Sequence, residues 1–188
     1  RLMQAAHARG MALAVIDAGK VVHVAAYGER NAAGEPLRTD TVMYAASLTK
    51  MAFGHLVAQL AQDQVIALDA GIATYLDKPL PDYPVDTKHY ADYSVLAGDE
   101  RWRRLTPRLL LNHGSGFANF AFLEPDGRLQ FHFDPGSRYG YSGEGLILLQ
   151  FVLERGRLDQ DIGALMQRRV FDRFGMPRTS MMWREDFA

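Results

Sequence analysis

Ser47-Leu-Thr-Lys50 opens an apolar stretch that continues through residues 51–62. Such a stretch predicts a helix, in which positions i and i+3 lie on one face, so that the Lys50 amine comes beside the Ser47 hydroxyl. A serine hydroxyl becomes a strong nucleophile when a neighbouring base takes its proton, and an amine does so only in its neutral form. The tetrapeptide therefore indicates either a pair for covalent catalysis or a capping serine beside a solvated lysine.

The residues before this tetrapeptide predict an antiparallel β-hairpin. Two β-type runs, 11–17 and 21–27, are separated by the short turn Ala18-Gly19-Lys20. A Gly-containing turn between two such runs is typical of a hairpin. A polar loop, 28–40, then leads to Ser47. The serine is thus expected at a helix N-terminus, where unpaired N–H groups and the helix dipole favour negative charge.

The remaining chain predicts further helices and one surface loop. Pro79, Pro81 and Pro84 exclude a long regular element at that point, and the polar, aromatic segment 83–99 is expected to be a surface loop. Three helices are expected beyond it, each with a sequence signal at one end. They are 107–112 after Thr106, 143–155 after the cap Ser142, and about 159–174 before Gly175.

The amino-acid composition excludes several classes of function. The 188 residues are 48% apolar and 23% charged, with a net charge of −1, which gives no electrostatic footprint for nucleic acid. The chain has no cysteine, so disulfides and thiolate catalysis are excluded. No apolar run reaches the ~20 residues of a membrane span. His132 and Asp134 lack a third ligand at metal spacing, so no metal site is predicted.

Three further segments, taken with the serine and lysine, resemble one protein superfamily. Residues 134–149, Asp-Pro-Gly-Ser-Arg-Tyr-Gly-Tyr-Ser-Gly-Glu-Gly-Leu-Ile-Leu-Leu, resemble the tyrosine motif of the serine β-lactamases and penicillin-binding proteins. Segments 109–117 and 170–179 are similar to two flanking motifs of that superfamily. The closest resemblance is to class C β-lactamases and related esterases and D-peptidases. It implies an α/β fold, an antiparallel sheet flanked by helices with a largely helical region.

The resemblance also implies roles for individual residues. Ser47 would attack a carbonyl carbon and carry the acyl group, Lys50 and Tyr141 would form the base, and the Ser47 backbone N–H would give one half of an oxyanion hole. Tyr139 is a nearby competitor of Tyr141, but its spacing from the preceding Pro-Gly turn is less like that of the family. No metal or organic cofactor is required by this chemistry.

Two positions near Tyr141 differ from, or add to, the family pattern. Gly143 occupies the place of an asparagine whose amide would contact the lysine and the acyl amide of a β-lactam, so an ester or another acyl substrate is favoured. Glu144 is expected to be a solvated acid in the first turn of its helix. Phe117 and Phe120, with Gly143, are candidate substrate-binding residues, although the phenylalanines equally suit packing of the helical region.

The family's third motif, Lys-Thr-Gly or His-x-Gly on a core strand, is not in this sequence. We therefore expect residues 1–188 to be the N-terminal portion of a single domain, with a hairpin and lead-in to residue 46 and a mainly helical region after it. An isolated hairpin is marginal in water, so its missing partner strands are expected from a complementing C-terminal segment or a homo-oligomer.

The expected function is hydrolysis of a small acyl substrate, an ester, a β-lactam or a D-amino-acid amide, through an acyl-enzyme on Ser47. Two alternatives stay open: a penicillin-binding or sensor domain that acylates without turnover, and a structural half that needs a second chain. The resemblance implies a periplasmic or secreted protein. No signal peptide is visible in the sequence, so a cytoplasmic location also stays open.

Overall fold

The computed structural model describes residues 2–187, which form two compact units. The first unit comprises 2–45 and 183–187, and the second comprises 46–182. Every candidate site residue of the sequence belongs to the second unit.

The first unit contains the expected hairpin. A short helix α1 (Leu2–Ala5) precedes β1 (Gly10–Asp17) and β2 (Lys20–Gly28), which pair antiparallel from Gly10 opposite Gly28 to Asp17 opposite Lys20. Ala18 and Gly19 both have positive φ, 46° and 75°, as a two-residue type I′ turn requires. The hairpin prediction is confirmed, and both of its faces carry exposed apolar side chains, such as Leu13 on one face and Val24 on the other.

The second unit is built around two helices, α2 (Leu48–Gln62) and α4 (Gly143–Arg155). Between them lies the short α3 (Pro107–Leu111), and α5 (Ile162–Met166) follows them. Side-chain caps start two of these helices as expected, because Thr106 accepts from the Leu109 N–H and Ser142 Oγ accepts from the Gly145 N–H. Between α2 and α4 the described chain also forms five 3₁₀ turns: Ile72–Tyr75, Leu80–Asp82, Tyr93–Leu96, Glu100–Arg104 and Ala121–Leu123. A further 3₁₀ turn, Glu185–Phe187, belongs to the first unit.

The last predicted helix differs from the expectation of 159–174. Asp161, not Asp159, caps it through the Ala164 N–H, since Asp159 has a left-handed φ of 42°. After α5 the backbone continues as a π-helical turn, Gln167–Phe171. Apolar periodicity does not distinguish an α-turn from a π-turn, so the sequence could not show this change.

The core of the second unit forms where α4 meets α2 and the 3₁₀ turns. Leu148, Leu149, Val152 and Leu153 of α4 are completely buried. From α2, the side chains that join this core are Phe53, Leu56, Val57 and Leu60. Burial on more than one face of α4 makes it the central helix of the unit and gives Tyr141, just before its start, a rigid support.

The prediction of a surface loop at 83–99 is wrong in part. Tyr90, Tyr93 and Leu96 are buried, and both tyrosine rings pack edge-on against Phe151 of α4 at centroid distances of 5.1 and 4.8 Å. Aromatic rings bury a large area even where the chain lacks regular structure. The segment is therefore a layer of the core that its polar neighbours concealed.

In residues 2–187 no helix combines the length and apolarity that a membrane crossing needs.

Candidate active site

Ser47 lies at the N-terminus of α2, directly after a strained residue. Ala46 has a φ of 45°, a left-handed conformation that costs an alanine roughly 1–2 kcal/mol. Ser47 is the N-cap residue of α2, but its side chain does not cap the helix. The hydroxyl is therefore available for other partners.

Two side chains donate hydrogen bonds to the Ser47 hydroxyl. Lys50 Nζ donates to Ser47 Oγ at 3.1 Å, as the i, i+3 spacing predicts. Tyr141 Oη donates to the same oxygen at 2.9 Å, although it is 94 residues away in the chain. Lys50 Nζ also lies 5.2 Å from the centre of the Tyr141 ring. The structure thus brings together all three residues expected to be catalytic.

The Tyr141 phenol is easier to ionise than an ordinary tyrosine. Its hydrogen bonds with Ser47 and Lys50, together with the positive charge of Lys50, hold the pKa of Tyr141 below its usual value. Partial desolvation opposes this shift without cancelling it. A phenol whose pKa is lowered by a cation can act as a proton acceptor near the serine.

His113 holds Tyr141 in place, a role that the sequence reasoning missed. Its ring lies 4.4 Å from the Tyr141 ring, centre to centre, and its Nδ1 lies 3.1 Å from both the backbone N and O of Ser142. His113 itself has a φ of 63°. The sequence offered only one signal, the place of His113 in the family-like segment 109–117, because its partner is 29 residues away.

Tyr139, the competing tyrosine, contacts a different group. Its ring packs edge-on against His113 at 5.7 Å and is 68% exposed. Tyr141 is the tyrosine that the structure places on Ser47.

Gly143 is buried against the segment that carries Phe120. A Cβ at this position would lie 2.8 Å from the Phe120 ring and 2.9 Å from the Asn119 carbonyl oxygen. The Gly143 N–H donates to Asn119 Oδ1 at 3.0 Å. The Phe120 ring therefore stands close to where a larger side chain at position 143 would project.

Gly143 and Phe120 line a cavity of about 130 Å³ next to Lys50. Phe117, the third candidate substrate-binding residue, does not line it. Its side chain is 2% exposed and packs on Phe131 at a ring distance of 4.4 Å in the hydrophobic core. Of the two readings of the phenylalanines, Phe117 fits the packing role and Phe120 fits the pocket role.

The expectation of a solvated Glu144 is wrong. The residue is 5% exposed, and its Oε1 accepts a hydrogen bond from the Ala121 N–H at 2.8 Å. Its Oε2 is buried without a hydrogen-bond partner among the described residues. Burial raises the pKa of the Glu144 carboxyl. Segment 118–121 covers the first turn of α4, which the sequence alone did not indicate.

The described residues contain no group of three or more His, Asp or Glu side chains placed to hold a metal ion.

Comparison with known proteins agrees with the fold. The D-alanine carboxypeptidase of Burkholderia cenocepacia superposes with a TM-score of 0.74 at 21% identity, over 99% of this chain and 48% of its own. A β-lactamase/D-alanine carboxypeptidase of Yersinia pestis superposes with a TM-score of 0.73 at 22% identity, over 99% of this chain and 54% of its own. These likenesses confirm the α/β fold expected from the sequence.

Sequence comparison points to the same group. A lovastatin esterase of Penicillium rubens is 31% identical over an alignment of 196 positions that covers 89% of this chain and 47% of the esterase. The chain thus spans about half the length of this relative. A family model described as Beta-lactamase matches residues 1–186. The chain therefore belongs to the β-lactamase family, as the resemblance of its motifs implied.

Proposed function

We propose that the protein is a serine hydrolase that forms an acyl-enzyme on Ser47. One observation carries the proposal: the hydroxyl of Ser47, free of any capping role, receives hydrogen bonds from both Lys50 and Tyr141. A capping serine beside a solvated lysine would not recruit a tyrosine from another element. The family membership supports hydrolytic chemistry of this type.

In the proposed acylation, Tyr141 first loses the proton that it donates to Ser47 in the structure, and it then reacts as the phenolate. Ser47 Oγ attacks the carbonyl carbon of the substrate while its proton passes to the Tyr141 oxygen, and the charge of Lys50 stabilises the phenolate before this transfer. The bond between the carbonyl carbon and the leaving group then breaks. Tyr141 returns the proton to the leaving group, so the acyl group remains on Ser47 and Tyr141 is again a phenolate.

Water completes the cycle by the same route in reverse. A water molecule attacks the acyl-enzyme carbonyl and gives a proton to Tyr141. The bond to Ser47 Oγ breaks, and Tyr141 returns the proton to that oxygen. The Ser47 N–H, at the start of α2, is proposed as one donor to the oxyanion that forms in each half.

The second oxyanion donor is proposed to come from a strand that this sequence does not contain. No lysine or histidine in the chain begins the third family motif. We propose that a complementing C-terminal segment or a second copy of the chain supplies it. The chain matches about half the length of the lovastatin esterase, which is compatible with a complementing C-terminal segment.

An ester is the proposed class of acyl substrate. Gly143 offers no side-chain amide to an acylamino group, and the Phe120 ring takes the adjacent space. The 31% identity to a lovastatin esterase also favours an ester. A β-lactam or a D-amino-acid amide would have to bind without the amide contact that asparagine gives in the class C enzymes.

Steady-state hydrolysis by the full-length gene product tests this proposal. p-Nitrophenyl butyrate should be turned over, and Ser47→Ala should lose at least about 10³-fold in kcat. Ser137→Ala is the matched control, because that hydroxyl lies on an exposed loop and donates to Asp134. Turnover by Ser47→Ala at the rate of the unchanged protein would overturn the proposal.

A further inference from the structure

The cavity beside Lys50 is largely apolar and lies next to the serine. Ala46 and Lys50, the residues on either side of the 47–49 segment, both line it. Three polar residues line it: Thr49, Lys50, whose Nζ donates to Ser47 Oγ, and Gln150, whose Nε2 donates to Glu154. The apolar part of its wall consists of Phe53, Phe120, Leu146, Ile147 and Met181.

The Phe120 wall is fixed to the start of α4 by hydrogen bonds on both sides of that residue. Before it, Asn119 accepts from the Gly143 N–H through its side chain and from the Glu144 N–H through its carbonyl, at 3.0 and 2.9 Å. After it, the Ala121 N–H donates to Glu144 at 2.8 Å. The ring also stacks on Phe122 at 5.0 Å. The cavity is therefore preformed, and little ordering cost would attend binding.

We infer that this cavity is the pocket for the acyl side chain of the ester, and that Phe120 packed on Gly143 sets the length of chain that fits. The inference rests on the proposed function, which makes Ser47 the acylated residue. An apolar cavity of about 150 Å³ holds a ring of roughly six carbons. The mainly apolar cavity of about 130 Å³ beside Lys50 therefore favours an apolar acyl chain of about that size or smaller.

The length dependence of kcat/KM measures this pocket. A series of p-nitrophenyl esters, from acetate through butyrate, hexanoate and octanoate to decanoate, should give an optimum at butyrate or hexanoate. Up to the optimum, each added methylene should raise kcat/KM by about fourfold, as expected for burial of one methylene group. Beyond it, the value should fall, because the ring of Phe120 blocks further extension.

Two variants should move the optimum in opposite directions. Phe120→Ala removes the wall and should raise the octanoate-to-butyrate ratio by roughly fifteenfold or more, the value for two additional buried methylenes. Ile147→Phe adds a ring to the wall of the cavity and should shift the optimum toward acetate. Circular dichroism and thermal melting establish that each variant is folded. Either of the two variants is sufficient to test the inference if the other does not fold.

Phe174→Ala is the matched control, since Phe174 is 62% exposed, packs on His55 and does not line the cavity. Its chain-length profile should equal that of the unchanged protein. An unchanged profile in folded Phe120→Ala would overturn the pocket assignment, as would a profile without any optimum. If activity persists in Ser47→Ala, the proposed function fails instead, so the two failures are distinguishable.

Discussion

At the scale of single residues, the Ser47 hydroxyl depends on two donors, Lys50 and Tyr141, and His113 packs against the second of them. The Ser47 and Lys50 pair follows from helical geometry, since the i, i+3 spacing lies within one turn. Tyr141 came only from the family resemblance, because no local rule connects residues 94 positions apart. His113 was missed for the same reason, as it acts through the backbone of Ser142.

Removal of the Tyr141 hydroxyl should abolish most of the turnover. Tyr141→Phe keeps the ring that packs on His113 but loses the group that exchanges a proton with Ser47. We expect kcat for an activated ester to fall by about 10²–10⁴-fold, the usual contribution of a general base. Tyr139→Phe is the matched control, and equal losses in the two variants would contradict the role assigned to Tyr141.

The pH dependence of kcat/KM should report the lowered pKa of Tyr141. The phenolate is the reactive form, so activity rises as pH passes through that pKa, and hydrogen bonding with Ser47 and Lys50 moves the rise to lower pH. Lys50→Met removes one cause of the shift. The rise of its residual activity should therefore move to higher pH, and a displacement to lower pH would contradict the account.

Loss of the His113 ring should impair positioning more than binding. In His113→Ala, the Tyr141 ring loses its packing partner and Ser142 loses a backbone hydrogen bond. A misplaced catalytic group can cost about 10²-fold, so we expect kcat to fall by roughly 10- to 100-fold with KM changed little. A rise in KM at unchanged kcat would assign His113 to substrate binding instead.

At the scale of elements, the helix caps and the hairpin turn were predictable from sequence. The packing of one segment over another was not. Thr106 and Ser142 cap their helices as expected, and the turn at Ala18-Gly19 gives the hairpin. The burial of Glu144 was not predictable, because it depends on segment 118–121 folding over the first turn of α4. An acidic residue in the first turn of a helix is expected on sequence grounds both when it is solvated and when another segment buries it.

The buried Glu144 should make stability depend on pH. Burial raises the pKa of Glu144 above its ordinary value of 4.5, so the folded state favours the neutral carboxyl. The free energy of unfolding should therefore be highest below pH 4.5 and should fall as the pH rises through the raised pKa. Glu144→Gln has no charge to bury. Its stability relative to the unchanged protein should therefore increase with pH, by about 1.4 kcal/mol for each unit of pKa shift.

Urea denaturation at acidic and neutral pH measures this difference. Glu100→Gln is the control, because Glu100 is exposed and paired with Arg103. If Glu144→Gln were destabilised by the same amount at both pH values, the charge of Glu144 would have no effect on stability. That result would contradict the prediction.

At the scale of the whole molecule, the motifs predicted the family and the α/β fold, and the comparisons confirm both. The second donor to the oxyanion stays a proposal. The hairpin exposes apolar residues on both faces, and the third family motif is not in the chain. The single-domain organisation, the source of the missing strands and export from the cytoplasm stay predictions from the resemblance.

The most direct measurement is intact-mass spectrometry of the full-length gene product after exposure to a fluorophosphonate, an activated ester and a penicillin, with peptide mapping of any adduct. We predict one fluorophosphonate adduct on Ser47, none in Ser47→Ala, and rapid clearance of the ester-derived acyl group. A persistent ester adduct on Ser47 without turnover would indicate a binding or sensor domain. An adduct on another serine, or none at all, would contradict the assignment of Ser47 as the nucleophile.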